Sequence, residues 1–92
     1  MNQSFEWDAN KARSNYRKHG IRFEEGVTVF EDPWSITIAD PDHSDAEARW
    51  VDIGMSNRGR ILVVVYTERM SSIRIISCRP ATRAERMNYE QI

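Results

Sequence analysis

Disulfide chemistry is absent from this chain: its 92 residues include one cysteine, Cys78. Nothing points to an oxidising compartment, and the cytoplasm is the expected location. Glycine is scarce, with four isolated residues, so no glycine-rich phosphate loop exists. Long apolar runs are missing too. None approaches the roughly 20 residues that span a bilayer, and Met1-Asn2-Gln3-Ser4 lacks the basic-then-apolar order of a signal peptide. The two histidines, His19 and His43, share no ligand spacing. The acidic run Asp40-Pro41-Asp42-His43-Ser44-Asp45 lacks the calcium-loop pattern and its glycine. No metal and no cofactor is expected, and one domain spanning 1–92 is.

What is present is arginine. The basic residues are eleven arginines and two lysines, and the net charge of −1 conceals a segregation. Residues 31–48 carry six acids and no Lys or Arg, whereas 49–92 carry eight arginines against four acids. Arginine stays charged when half-buried, and its planar fork matches phosphate and carboxylate. The segregation favours an anionic ligand on the basic part, and a solvated mixed-charge surface is the bland alternative.

The apolar pattern gives the elements. Phe5-Glu6-Trp7 alternates like a short edge strand. Asp8 is placed to cap a helix that runs to His19, with Gly20 as its left-handed stop. Phe23, Val27 and Phe30 mark a second short helix. The period then becomes two. Strands are expected over 34–39, 48–55, 60–67 and 72–79, with Asn57-Arg58-Gly59 and residues 68–71 as turns. Thr82-x-x-Glu85 is a capping box that opens a last helix. Pairing Ser56 with Arg60 sets Ile53 opposite Val63 and Val51 opposite Val65. Pairing Glu68 with Ser72 sets Val65 opposite Ile75 and Tyr66 opposite Arg74. One face then reads Val51, Ile53, Val63, Val65, Ile73 and Ile75, and is expected to carry the helices. The other mixes Trp50, Asp52, Leu62, Val64, Tyr66, Arg74, Ile76 and Cys78. A slip of one residue would exchange the two sets.

Two groups of residues carry candidate chemistry. His19 titrates near neutrality and sits beside Lys18 at a helix end, where it serves either acid–base work or the last helix carbonyls. Arg49, Tyr66, Glu68, Arg74 and Arg79 form the second group. Attack of an RNA 2′-OH on its own phosphate needs a proton acceptor, a proton donor and fixed positive charge, and no metal. Cross-strand ion pairs are the competing use of the same residues. Cys78 fits a buried strand position as a small hydrophobe.

The ordered set of residues resembles the BrnT toxins of bacterial type II toxin–antitoxin systems. It comprises Phe5-Glu6-Trp7-Asp8, Lys11, Asn15, Lys18-His19-Gly20, Phe23-Glu24-Glu25, Phe30 and Asp32. It continues with Glu47, Arg49, Gly54, Leu62 to Glu68, Arg74 to Arg79, Ala81-Thr82-Arg83 and Glu85. The resemblance implies an α+β, RelE-like single domain. Two N-terminal helices and a C-terminal helix would pack on a mainly antiparallel four- to five-stranded sheet. It implies a metal-independent endoribonuclease that inhibits translation and growth. A BrnA-type ribbon-helix-helix antitoxin would neutralise it, with operator DNA reached only through that antitoxin and no membrane role. With the chemistry above, His19, Glu68, Arg74 and Arg79 become the expected catalytic residues. Lys18, Arg49 and Tyr66 are expected to bind substrate. The rival is a non-catalytic toxin-fold module that only partners the antitoxin. Three positions depart from the family pattern: Ala48 where an acid often precedes the arginine, Cys78 where alanine is usual, and Arg22 where a helix-capping side chain is common.

Overall fold

A computed structural model describes residues 3–40 and 47–91. Most of the acidic turn, including Asp42, His43 and Asp45, lies outside them. The elements run β1 (Ser4–Glu6), α1 (Ala9–His19), α2 (Phe23–Val27), a 3-10 turn (Thr28–Glu31), β2 (Ile36–Ala39), β3 (Arg49–Met55), β4 (Ile61–Arg69), β5 (Ser72–Pro80) and α3 (Arg83–Glu90).

Local chemistry sets the ends of these elements. The Asp8 carboxylate accepts from the backbone N–H groups of Asn10 and Lys11 at 2.7 and 3.1 Å, so α1 starts there. Gly20, at φ 73°, donates its N–H to the Tyr16 carbonyl and ends it. Arg22 supplies no side-chain cap to α2, and that helix is five residues long before the chain tightens into the 3-10 turn. The capping box of α3 is formed from both sides. Thr82 N–H donates to Glu85 Oε1 at 2.8 Å, and Glu85 N–H to Thr82 Oγ1 at 3.2 Å.

The five strands form one sheet in the order β1-β5-β4-β3-β2. It is mixed rather than mainly antiparallel, because β1 runs parallel to β5 while the other neighbours are antiparallel. The first hairpin has the expected register, with Ile53 opposite Val63 and Val51 opposite Val65. The second differs twice. Its turn is the two residues Met70-Ser71, with Met70 at φ 54°, so Arg69 rather than Glu68 faces Ser72. A bulge between Val65 and Tyr66 then shifts the pairing again, from Tyr66–Ile75 to Val65–Ser77. The first shift turns Ile73, Arg74 and Ile75 over relative to the expected faces. The second restores Ser77, Cys78 and Arg79.

The helices consequently lie on both faces. The α1–α2 layer packs on Leu62, Val64, Tyr66, Ile73, Ile75 and Cys78, closed by Ile21, Phe23 and Val29. That face holds most of the set expected to be open. The α3 side has a smaller cluster of Ile53, Val63 and Ala81, flanked by Val51, Ile61 and Tyr89. The six residues expected under the helices thus divide between the two layers. The larger core tolerates Asp52 because Tyr66 donates its hydroxyl to Asp52 Oδ1 at 2.9 Å. Asn15 also enters this core, where it receives Cys78 N–H at 3.0 Å and donates to the Cys78 carbonyl at 2.7 Å. A helix side chain here copies the pairing of a strand and ties α1 to β5.

Candidate functional site

The double shift in β5 decides where the arginines stand. Residues paired across a sheet share a face. Arg49 is opposite Thr67, Thr67 is opposite Arg74, and Arg74 is opposite Glu6. Arg49, Thr67, Arg74 and Glu6 therefore form one row across the sheet on the α3 side. The next row is Ile38, Val51, Val65 and Ser77, and the third is Ile36, Ile53, Val63 and Arg79. A continuous strand would set Arg74 and Arg79 on opposite faces, since they are an odd five positions apart. The bulge brings both to one face.

Spacing separates their roles. Arg49 and Arg74 are two strands apart, roughly 10 Å between backbones, within reach of one phosphate for two arginine side chains. Arg74 and Arg79 are five residues apart along a strand, roughly 16 Å, which suits neighbouring phosphates. Arg74 Nη1 donates to Glu6 Oε2 at 3.2 Å. Arg79 is held more firmly. Its fork donates to both Glu85 oxygens at 2.8 and 2.9 Å and draws the Glu85 carboxyl down to about 2, with Thr82 also contributing. Arg79 thus fixes the start of α3 to the sheet.

Glu47 completes the first row's surroundings. It receives a bidentate pair from Arg69 at 2.8 and 3.0 Å and lies within electrostatic range of Arg74 and Arg49. The Arg69 hydrogen bonds hold its carboxyl below the usual range. Thr67 is 2% exposed, and its Oγ1 has no hydrogen-bond partner among the described residues.

The remaining expected site residues do not converge on this row. Tyr66 is 6% exposed, faces Ile75 rather than Arg74, and lies under Phe30 at a ring separation of 4.9 Å. Burial and then Asp52 push its hydroxyl far above the usual phenol range. Burial likewise raises Asp52, against hydrogen bonds from Thr37 and Tyr66. Glu68 is exposed opposite Ile73, at the Arg74 end of β5 but on the other face. Lys18 and His19 end α1 one turn beyond Asn15, which bonds Cys78, so they stand toward the far end of β5. Burial pushes the Cys78 thiol up to about 12, as for an inert core cysteine. The sequence reading singled out none of Glu6, Thr67 and Arg69 for this site. The cross-strand register was the signal that joins them, and it turns on the hairpin and the bulge.

Such a domain is a small α+β protein with arginines on the sheet face beside α3. The family model described as "Ribonuclease toxin, BrnT, of type II toxin-antitoxin system" matches residues 7–85. The chain belongs to the BrnT toxin family. It is also similar to the crystal structure of the Brucella abortus ribonuclease toxin BrnT. That match has a TM-score of 0.65 and 25% identity, over 89% of this chain and all of the other. No curated protein matches significantly. Membership implies a protein antitoxin as partner. No helix among the described residues is long and apolar enough to cross a membrane.

Proposed function

We propose that this protein is a metal-independent endoribonuclease toxin that arrests translation and growth in the cytoplasm. The supporting observation is the row Arg49–Thr67–Arg74, with Arg79 on the same face. Arg49 and Arg74 grip the scissile phosphate and stabilise the charge that builds as the 2′-OH attacks. Arg79 serves the neighbouring phosphate and keeps α3 in place. Glu47, within electrostatic range of Arg74 and Arg49, is the candidate to take the 2′-OH proton, whereas Glu68 stands on the other face and is not assigned that step. Lys18 and His19, at the other end of the strand, serve RNA binding rather than the bond-breaking step. Tyr66 supports the sheet beneath the site through Asp52.

A BrnA-type ribbon-helix-helix antitoxin would cover the α3 face. An open groove of about 850 Å3 adjoins the arginine rows there, lined by Ile38, Val51, Ile53 and Met87. Ile38 and Met87 are 48% and 60% exposed, an apolar strip suited to burial by a partner. Operator DNA would be met only through the antitoxin.

Expression without antitoxin should stop growth, and the purified protein should cut RNA in excess EDTA. Loss of cutting in EDTA, restored by a divalent ion, would remove the metal-independent step. Intact RNA after incubation with folded, antitoxin-free protein would favour a non-catalytic partner of the antitoxin.

A further inference from the structure

The outer surface of the α1–α2 layer carries a second basic feature. Residues 9–22 include Lys11, Arg13, Arg17, Lys18 and Arg22 and no acid, in a chain whose net charge is −1. A groove of about 560 Å3 opens between α1 and α2, lined by Arg13, Tyr16, Arg17, Arg22, Phe23 and Glu24. Tyr16 is 47% exposed and belongs to neither core cluster. The Arg22 guanidinium lies over that ring, 4.5 Å from its centre. The groove therefore offers a flat aromatic face, a stacked guanidinium and two further arginines one helical turn apart. Glu24 is the only acid on the lining.

We propose that this groove is a second RNA-binding surface that grips single-stranded RNA outside the cleavage site. It rests on the ribonuclease reading and adds where the strand runs. A base stacks on the Arg22 guanidinium that Tyr16 supports, while Arg13 and Arg17 meet the flanking phosphates, the combination by which proteins hold single strands without reading sequence. An acidic protein segment would be drawn by the arginines, but it has no use for an exposed ring topped by a guanidinium. Asp8, which caps α1, lies within electrostatic range of both Lys11 and Arg74, so the start of α1 borders the β1 edge of the sheet. A strand leaving the groove toward the site passes that edge, where Glu6 is paired with Arg74 and Asp8 with the α1 N-terminus.

The test separates grip from cleavage. A labelled 20-residue oligouridine, fully 2′-O-methylated, cannot attack its own phosphate and reports binding alone. The parent, Tyr16→Ala, Arg13→Ala/Arg17→Ala and the charge-matched control Arg58→Ala/Arg83→Ala are compared by fluorescence anisotropy. Alanine on an exposed helix face favours the helix, and thermal melting confirms the fold. Tyr16→Ala should weaken binding about five- to hundredfold. The Arg13/Arg17 pair should lower the slope of log affinity against log salt by about 1.4, at about 0.7 per phosphate contact. Cleavage of a three-nucleotide substrate, too short to reach the groove, should be unchanged in both. Groove variants that bind no more weakly than the control would overturn the inference. So would a parent that ignores the oligouridine, or that binds poly-glutamate equally well. Cutting with an unaltered grip sinks the groove alone, whereas a groove-dependent grip without any cutting sinks the ribonuclease reading and leaves the groove.

Discussion

Single residues in this molecule divide into those that hold the fold and those held ready by it, and burial separates them. Asn15 is of the first kind. Its amide makes three hydrogen bonds, to both backbone groups of Cys78 and to the Ile21 carbonyl. Asn15→Leu fits the space but leaves the Cys78 backbone unpaired inside the core. It should cost about 2–4 kcal/mol, read as a lower urea midpoint with an unchanged slope. Arg74 is proposed to be of the second kind. It is half-buried, shares one partly exposed ion pair with Glu6, and sits beside Arg49 across Thr67. Arg74→Ala should lower RNA cleavage about 10²–10³-fold at a nearly unchanged melting temperature. Arg74→Lys keeps the charge and loses the fork, so it should remain impaired. Arg86→Ala, on the exposed side of α3, should keep full toxicity. Arg74→Ala with parental activity would return Arg74 to the role of a plain ion pair.

Among the elements, α3 depends most on one contact. It meets the sheet through a small cluster, and its first turn is pinned by Glu85, which caps the helix and receives Arg79 at once. The folded carboxyl titrates at about 2, below the ordinary 4.5. A lowered acid stabilises the fold above the unfolded value and loses that contribution as pH falls through the folded one. The Glu85 contribution is therefore complete above about pH 4.5 and disappears by about pH 2. Both side chains are partly exposed, so solvent screening reduces it to about 1–2 kcal/mol. Glu85→Gln keeps a capping side chain and removes the charge. The variant should be less stable than the parent at pH 6, and the gap should close by pH 2 in urea titrations. A gap independent of pH would mean that packing, not the ion pair, holds α3. Strand β5 shows the complementary case. Its bulge costs a ladder pairing and is what sets Arg74 and Arg79 on the same side.

Over the whole molecule, charge and apolar surface are arranged by layer. The α3 face combines the arginine rows with an apolar strip, and the opposite layer carries the basic groove. The acidic segment 31–48 precedes the arginine-rich strands. Partners with acidic surface should be steered toward the strands, fastest at low salt. An antitoxin seated on the α3 face should bury Trp34, which is 71% exposed next to the end of α3. Trp7 and Trp50 are already partly buried against the larger core. Complex formation should thus shift tryptophan emission to shorter wavelength and reduce quenching by iodide, and Trp34→Phe should abolish most of both changes. Unaltered quenching in a tight, non-toxic complex would place the antitoxin elsewhere and require inhibition at a distance.

The chain alone determined its elements, because their causes are local. Asp8 and Gly20 bound α1, Thr82 and Glu85 start α3, and alternation marks the strands to within a residue or two. It also carried the β3–β4 register, since Asn57-Arg58-Gly59 fixes that turn, and the ordered motifs that mark the BrnT family. Whether Arg74 joins Arg79 or Tyr66 depended on the tertiary structure. That choice follows from a two-residue turn with Met70 in the left-handed region and a bulge after Val65. Each moves the register by one, and neither has a glycine or proline to announce it. The parallel place of β1 and the division of helices between two faces were equally non-local. Both sheet faces are apolar enough to bury, and the fold buries more of the one on which Asp52 finds Tyr66 and Cys78 finds Asn15.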